Sequence, residues 1–285
     1  MMEILRDKRV FLDYGPIQMV LDLSVRGRRS PIKSRKVAER IIEEFENLVP
    51  WREKLKNRAV VKAKDMPTTA EKMINAASFF PGELTPMAAV AGAFSDTALE
   101  VALETGADRV IINNGGDIAL ADTLGGTFNT ALPLKGSSEL INISVDTARI
   151  RGICTSGLGG RGFTRGVASA AVVLASSSAV ADACATYIGN FTCVESGNVL
   201  KCPAEELDVD TDIAGEEVTF KVGFLDKKEI YRALLNGLKP AERLYEQGII
   251  EGVLLQVSGE TAVFPEELAQ KVAFSCSSGD AVSPG

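Results

Sequence analysis

The strongest candidates for metal chemistry are two oxygen-bearing side chains four residues apart. Asp182 and Thr186 lie in the run Ala181-Asp182-Ala183-Cys184-Ala185-Thr186, near the start of a predicted helix. Positions i and i+4 share one helix face, and a carboxylate with a hydroxyl suits Mg²⁺, which takes oxygen ligands and keeps several waters. Two alternatives stay open. An aspartate near a helix N-terminus is stabilising without a ligand, and a threonine hydroxyl can bond back to the preceding turn.

A glycine-rich loop between residues 154 and 166 is the strongest candidate for anion binding. Its consecutive glycine amides can form a concavity that holds an anion, and its two arginines can clamp a phosphate bidentately. The loop is neither a Walker A motif nor a dinucleotide fingerprint, because no Gly-Lys-Ser/Thr follows and a predicted strand comes next. The alternative is a mobile surface loop. The candidates here are Thr155, Ser156, Gly157, Gly159, Gly160, Arg161 and Arg165.

A third segment, Asn114-Gly115-Gly116-Asp117, combines a turn with a carboxylate. Two glycines allow a ligand or another backbone to approach bare amides. Asp117 follows the turn, where it can accept a hydrogen bond, deprotonate a ligand or help to hold a cation. The alternative is that these residues only form a tight hairpin turn with a solvated Asp117.

A fourth segment, Thr85-Pro86-Met87-Ala88-Ala89-Val90-Ala91-Gly92-Ala93, begins a helix with small side chains. Thr85 followed by Pro86 is typical of an N-cap and a first helical residue. A helix start of this kind can admit a planar ring or a phosphate at its N-terminus. The alternative is a close contact between this helix and a sheet at the small residues.

The composition excludes several classes of function. The 285 residues include no histidine, which removes Ser-His-Asp and Cys-His nucleophiles, His-ligated zinc and histidine bases. A net charge of −7 and a pI near 5.0 argue against a nucleic-acid partner. The charged N-terminus and five cysteines without a CxxC pair predict a cytoplasmic protein with free thiols. No stretch is apolar enough to predict a membrane span.

The elements that position these residues are predicted from periodicity and turn chemistry. Asn-Gly between two apolar runs is the clearest hairpin signal, and Gly237 with Pro240 predicts a break between two C-terminal helices. The predicted strands are 10–12, 18–26, 59–63, 109–113, 117–121, 127–132, 140–145, 150–154, 167–175, 218–224 and 250–257. The predicted helices are 32–48, 68–78, 85–105, 179–188, 228–235 and 240–247.

Strands and helices that mix without strict βαβ alternation indicate an α+β fold. No Pro/Gly-rich linker divides the chain. We therefore expect a single compact domain over residues 1–274, with a mixed β-sheet and packed helices. Residues 275–285 are rich in serine, glycine and proline, and we expect a flexible tail there.

Taken in order, the four segments resemble the ApbE superfamily, whose best-known members are FAD:protein FMN transferases. The matching stretches are residues 85–93, Asn114-Gly115-Gly116-Asp117-Ile118, Thr155-Ser156-Gly157 and residues 181–186. Within the superfamily the chain is most similar to the uncharacterised UPF0280 branch. The resemblance covers about Arg9 to Gly259.

The resemblance implies a T-fold-like architecture with a flavin-nucleotide cleft. In the transferases, Mg²⁺ is held by a backbone carbonyl and by the Asp and Thr of an Ala-Asp-x-x-Ala-Thr motif, which match Asp182 and Thr186. Those enzymes move FMN from FAD onto a serine or threonine of a target protein and release AMP. This chain lacks their His/Asp loop and has Ala91 in place of their lysine. That loss argues against FMN transfer itself.

The sequence thus predicts an ApbE-like protein with an Mg²⁺-dependent cleft for FAD, another nucleotide or a small anionic molecule. It would be a transferase or hydrolase at a phosphoanhydride or acyl centre, in which Asp117, Thr155 and Ser156 contribute to the chemistry. The alternative is a non-catalytic protein that binds flavin or a small anionic metabolite. A further alternative is a structural homodimer whose glycine loops serve packing, and we expect no membrane partner.

Overall fold

A computed structural model describes residues 1–133 and 139–276. Within them the strands are β1 Met2–Ile4, β2 Val10–Tyr14, β3 Ile17–Val25, β4 Arg28–Arg29, β5 Arg109–Asn114, β6 Asp117–Asp122, β7 Thr127–Pro133, β8 Glu139–Asp146, β9 Gly152–Ser156, β10 Ala170–Ala175, β11 Val199–Pro203, β12 Glu217–Val222, β13 Gly252–Val257, β14 Glu260–Phe264 and β15 Val272–Cys276. The helices are α1 Pro31–Leu48, α2 Arg52–Leu55, α3 Thr68–Ala77, α4 Val90–Glu104, α5 Ser178–Phe191, α6 Ala204–Leu207, α7 Lys227–Glu246 and α8 Glu266–Ala269. Two short 3₁₀ turns, Val49–Trp51 and Pro86–Ala89, precede α2 and α4.

Most strands join one large sheet in the order β1-β2-β3-β5-β6-β9-β10-β13-β14, with β4 added beside β3. Helices and sheets together confirm the α+β class. The expectation of a mixed sheet is wrong in one respect, because the strand pairs of the described residues are antiparallel. The reason is visible at β3 and β5. Ser24 pairs with Arg109, so the chain re-enters the sheet at the end where it left and must run back.

The central strands β10 and β13 of the large sheet are buried on both faces, which explains their mostly apolar sequences. Along β10, Val172 and Leu174 contribute to one core cluster, whereas Ala171 and Val173 contribute to the other. Helices α1, α3, α4, α5 and α7 cover one face. The three-stranded sheet β15-β8-β7 covers the other, where Phe128 is buried. Alternation along each strand thus directs neighbouring residues to different cores.

Three predictions of secondary structure are wrong. Residues 59–63 form no strand. The strand predicted at 167–175 begins only at Ala170, because the amides of Val167 and Ala168 donate to the hydroxyl of Thr192. The two C-terminal helices are the single helix α7, with Pro240 inside it.

Helix α7 continues through Gly237 and Pro240 because packing outweighs intrinsic propensity. It begins with a capping box between Asp226 and Glu229 and buries an apolar stripe against the sheet. A Cβ on Gly237 would lie 2.7 Å from Leu255 Cδ1. Gly237 therefore allows a close approach of α7 to β13 rather than ending the helix.

The predicted tail overlaps the last described strand. Strand β15 runs to Cys276 and so includes the first two residues of the expected tail, and residues 277–285 lie outside the described residues. The four cysteines whose side chains are described, Cys154, Cys184, Cys193 and Cys202, are free thiols. No helix in the described part of the chain is long and apolar enough to cross a membrane.

Candidate functional site

The site begins where helices α4 and α5 touch. A Cβ on Gly92 of α4 would lie 2.3 Å from the carbonyl oxygen of Ser178 and 2.8 Å from Cβ of Asp182. The Gly92 amide donates a hydrogen bond of 2.9 Å to Oδ2 of Asp182. The small residues of the fourth segment therefore serve close packing, and this packing holds the Asp182 carboxylate in place.

We expect Gly92→Ala to destabilise the protein by about 3 kcal/mol or more, because the added Cβ meets backbone atoms that cannot rotate away. Chemical denaturation measures the change. Gly197→Ala is the matched control, since a Cβ there meets nothing within 4 Å. An equally small effect of both substitutions would show that the two helices are not held this closely.

The hairpin β5–β6 brings the second carboxylate. Asn114 pairs with Asp117 across the turn, whose glycines Gly115 and Gly116 have φ values of 66° and 111°. Those left-handed conformations explain why glycines occupy both positions. Asp117 is buried, and its Oδ1 accepts a 3.4 Å hydrogen bond from the amide of Thr155 at the end of β9. The alternative of a solvated Asp117 is therefore wrong.

The Asp117 and Asp182 carboxylates repel each other in a poorly solvated site. Burial raises the pKa of Asp117 to about 6. Burial, followed by the nearby charge of Asp117, raises the pKa of Asp182 well above its usual value. Asp182 keeps some exposed surface because it borders a cavity. Asp117 is buried and Asp182 half-buried, and neither has a basic ion-pair partner in the described residues, so the pair creates a demand for a cation.

Arg161 is the positive charge nearest to this pair, and it lies on the hairpin turn. A Cβ on Gly115 would lie 2.3 Å from Nη2 of Arg161, so only glycine admits the guanidinium there. Its Nη1 donates to the carbonyl of Pro16 at 2.6 Å, and its Nη2 donates to the carbonyl of Asn114 at 3.3 Å. Carbonyl groups orient the guanidinium without neutralising its charge. The positive charge of Arg161 offsets part of the rise in the pKa of both aspartates.

These groups border a cavity of about 660 Å³. Its polar wall carries the predicted hydroxyls of Thr155, Ser156 and Thr186. Its apolar wall comes from α1, α2 and α4 and from two residues outside the helices. The apolar lining residues include Phe45, Leu48, Leu55, Leu84, Phe94 and Phe163.

Among the described residues, no three His, Cys, Asp or Glu side chains are grouped to hold a metal ion. The carboxylates of Asp117 and Asp182 and the hydroxyl of Thr186 remain as oxygen donors that border the cavity. That set fits Mg²⁺, which is held by one or two carboxylates and keeps several waters. Cys154 lies buried below the pair, and its thiol contacts Ser178 at 3.2 Å.

The structure separates the two predicted arginines. Arg165 faces carboxylates, with Nη2 3.5 Å from Glu83 and Nη1 3.6 Å from Glu216. Glu216 also binds Arg58. Arg165 therefore borders the cavity with its charge already balanced, in contrast to Arg161.

Other predicted binding residues have structural partners or lie elsewhere. The Asn114 side chain accepts from the Gln18 amide and donates to the Ala91 carbonyl. Gly115 and Gly160 border the cavity. Gly116, Gly157 and Gly159 are not among the lining residues, so the run of glycine amides does not converge there as a whole.

Sequence reasoning missed the wall formed by residues 208–216. Asp208, Asp210 and Asp212 line the cavity, where Asp212 accepts from the hydroxyl of Thr85 and Asp210 lies 3.6 Å from Arg52. Their spacing of two residues is a visible signal. Only the fold shows that the segment meets Arg52 and Thr85, which are distant in sequence.

Comparison with known proteins gives one family. The model of the family described as AbpE bacteria matches residues 2–263. A UPF0280 protein of Methanothrix thermoacetophila is 38% identical over 131 residues, 44% of this chain and 52% of the relative. One of Methanococcus vannielii is 32% identical over 166 residues, covering 56% and 65%. One of Methanococcus maripaludis is 31% identical over 186 residues, covering 58% and 74%.

The chain thus spans 52% and 65% of the first two relatives' lengths. Among solved structures it is similar to "Flavin Transferase ApbE from Vibrio cholerae". The two are 11% identical with a TM-score of 0.37, and the match covers 90% of this chain and 96% of that one.

Proposed function

Because this chain belongs to the family described as AbpE bacteria and is related to UPF0280 proteins, we propose that its cavity binds Mg²⁺ together with a phosphate-bearing small molecule. One observation carries the proposal. Two mutually repelling carboxylates, one buried and one half-buried, border the same cavity as a guanidinium that has no carboxylate partner among the described residues. The carboxylates favour a bound cation, and the guanidinium beside them favours a bound anion. The cavity therefore suits a cation and an anion that bind together.

Asp182 and Thr186 would hold the cation from one face of α5, and Asp117 would approach it from the hairpin. The neighbouring charge of a divalent ion removes the repulsion between the carboxylates. When bound, Mg²⁺ supplies charge neutralisation and Lewis-acid polarisation of phosphate oxygens. The chain's own residues fix the place of the cation, because Gly92 and Thr155 donate backbone hydrogen bonds to Asp182 and Asp117.

Arg161 would bind the anionic group of the ligand. Two of its N–H groups are used by Pro16 and Asn114, which leaves donors for the cavity. The hydroxyls of Thr155 and Ser156 would donate further hydrogen bonds. The remaining glycines and Arg165 would shape the loop rather than contact the anion.

The apolar wall suits a planar ring. Cavities of 300–1,000 Å³ with mostly apolar lining and few polar groups are typical of sites for small molecules. Phe45 and Phe94 pack together there, with ring centroids 6.2 Å apart. A flavin nucleotide such as FAD combines such a ring with phosphates, so it is the first ligand to test.

We expect Arg161→Ala to weaken Mg²⁺-dependent ADP binding by about 10- to 100-fold, because charge-assisted hydrogen bonds contribute about 1.5–3 kcal/mol. Isothermal titration calorimetry at saturating Mg²⁺ measures the change. Arg28→Ala is the control, since it removes one exposed positive charge outside the cavity. Equal ADP affinity in both variants would exclude Arg161 from the anion site.

We further propose transfer or hydrolysis at a phosphoanhydride as the activity. A non-catalytic binding protein is the second candidate, because Glu83 and Glu216, which also line the cavity, are engaged by Arg165. That leaves few free groups to move a proton. Release of AMP from FAD with Mg²⁺ would support the enzyme, whereas binding without any release would support the binding protein.

A further inference from the structure

Asp96, the aspartate of α4, forms hydrogen bonds with the backbone of α5. Asp96 is 8% exposed, and its two carboxylate oxygens accept hydrogen bonds of 2.8 Å from the amides of Ser178 and Ala179. In the opposite direction, the carboxylate of Asp182 in α5 accepts a hydrogen bond from the backbone amide of Gly92 in α4. Each helix thus places one carboxylate against the backbone of the other helix. On both helices the donating amide and the accepting aspartate are about one turn apart.

These contacts complete the first turn of α5. The first four amides of a helix have no partner within the helix. Here Asp96 binds two of them, the Ser177 hydroxyl accepts from Val180, and the Ser177 carbonyl accepts from Ala181. A negative charge at this end is also favoured by the helix dipole.

Asp96 forms no ion pair in the described residues. Lys72 and Glu100, the charges nearest to it, pair with each other at 2.7 Å. The carboxylate of Asp96 is therefore directed to the backbone of α5. Nothing in the sequence indicates the contact, because 82 residues separate Asp96 from Ser178.

We propose that Asp96 is a positioning residue for the cation site: it fixes the first turn of α5 and thereby the place of Asp182 and Thr186. The inference rests on the proposed function of those two residues. Asp182 lies one turn after Ser178, so a shift of that turn moves the carboxylate directly. Ser178 also contacts the Cys154 thiol at 3.2 Å, beside Thr155, so the turn joins α4, α5 and β9.

The test compares Mg²⁺ affinities of the wild type, Asp96→Ala and Phe128→Leu by calorimetry, well below each unfolding temperature. Phe128 is buried on the opposite face of the sheet, so its substitution destabilises the fold without touching α5. We expect Asp96→Ala to weaken Mg²⁺ binding by about 10- to 100-fold, as losses of groups that orient metal ligands do. Phe128→Leu should keep the wild-type affinity.

Amide hydrogen exchange gives a readout that needs no metal. In Asp96→Ala the amides of Ser178 and Ala179 should exchange faster than in Phe128→Leu. Asp96→Asn, which keeps the shape and one acceptor oxygen, should show both effects at smaller size, and it replaces Asp96→Ala if that variant does not fold.

Equal Mg²⁺ affinity in Asp96→Ala and Phe128→Leu, with normal binding by the wild type, would overturn only the positioning role. Unchanged exchange at Ser178 and Ala179 would overturn it as well. Absence of Mg²⁺ binding by the wild type would instead overturn the proposed function, together with the inference that rests on it.

Discussion

Replacing Asp182 with asparagine will weaken Mg²⁺ binding by about 30-fold or more, because removal of one partner from a buried charged contact costs about 2–5 kcal/mol. Asparagine keeps the shape of the side chain and can still accept the Gly92 hydrogen bond. The substitution also ends the repulsion with Asp117. We therefore expect the metal-free variant to be at least as stable as the wild type.

Calorimetric titration with MgCl₂ measures this effect, and denaturation in EDTA measures stability. Asp65→Asn is the matched control, because Asp65 is exposed and the variant carries the same change in charge. It should bind Mg²⁺ like the wild type. Equal Mg²⁺ affinity in both variants would exclude Asp182 as a cation ligand.

The second large effect is a dependence of stability on pH. The pKa of Asp117 is raised from 3.8 to about 6, and that of Asp182 is raised further above its usual value. Between pH 7.5 and 5 the folded state therefore binds more protons than the unfolded state, so stability rises as pH falls. Asp117 alone accounts for about 1.4 kcal/mol of this change, because pH 5 lies about one unit below its folded-state pKa and each unit is worth 1.36 kcal/mol.

Asp96, whose pKa burial raises to about 6, adds to the same trend. Carboxylates with lowered pKa values, such as the exposed Asp7 and the half-buried Glu205, titrate below this window. Denaturation at pH 7.5 and pH 5 in EDTA measures the rise, which should shrink in Asp117→Asn/Asp182→Asn. Saturating Mg²⁺ should remove most of it, because the cation keeps both carboxylates ionised. Stability that falls from pH 7.5 to 5 in the metal-free protein would contradict these pKa shifts.

Local signals predicted much of what builds the site. Asn-Gly-Gly predicted the β5–β6 hairpin, and the small residues around Gly92 predicted a close contact with another element. The spacing of Asp182 and Thr186 placed both on one face of α5, and both line the cavity. Each of these features depends on a few adjacent residues or on a single helical period.

The rest depends on contacts between distant segments. Arg161 and Arg165 lie in one irregular loop, where no periodicity predicts their directions. Only the fold shows that one lies on Gly115 and the other between Glu83 and Glu216. The predicted break in helix α7 is wrong for a related reason. The burial of its apolar stripe against β13 outweighs the low helix propensity of the glycine and proline within it.

We propose above that the cavity bordered by Asp117, Asp182 and Arg161 binds Mg²⁺ and a phosphate-bearing molecule together. Calorimetric titration of the protein with FAD, FMN and ADP, each with and without Mg²⁺, tests it most directly. We expect that at least one of these ligands binds with micromolar affinity only when Mg²⁺ is present, and that Asp182→Asn loses this binding. No binding of any of the three, or binding that is equal without Mg²⁺ and in Asp182→Asn, would contradict it.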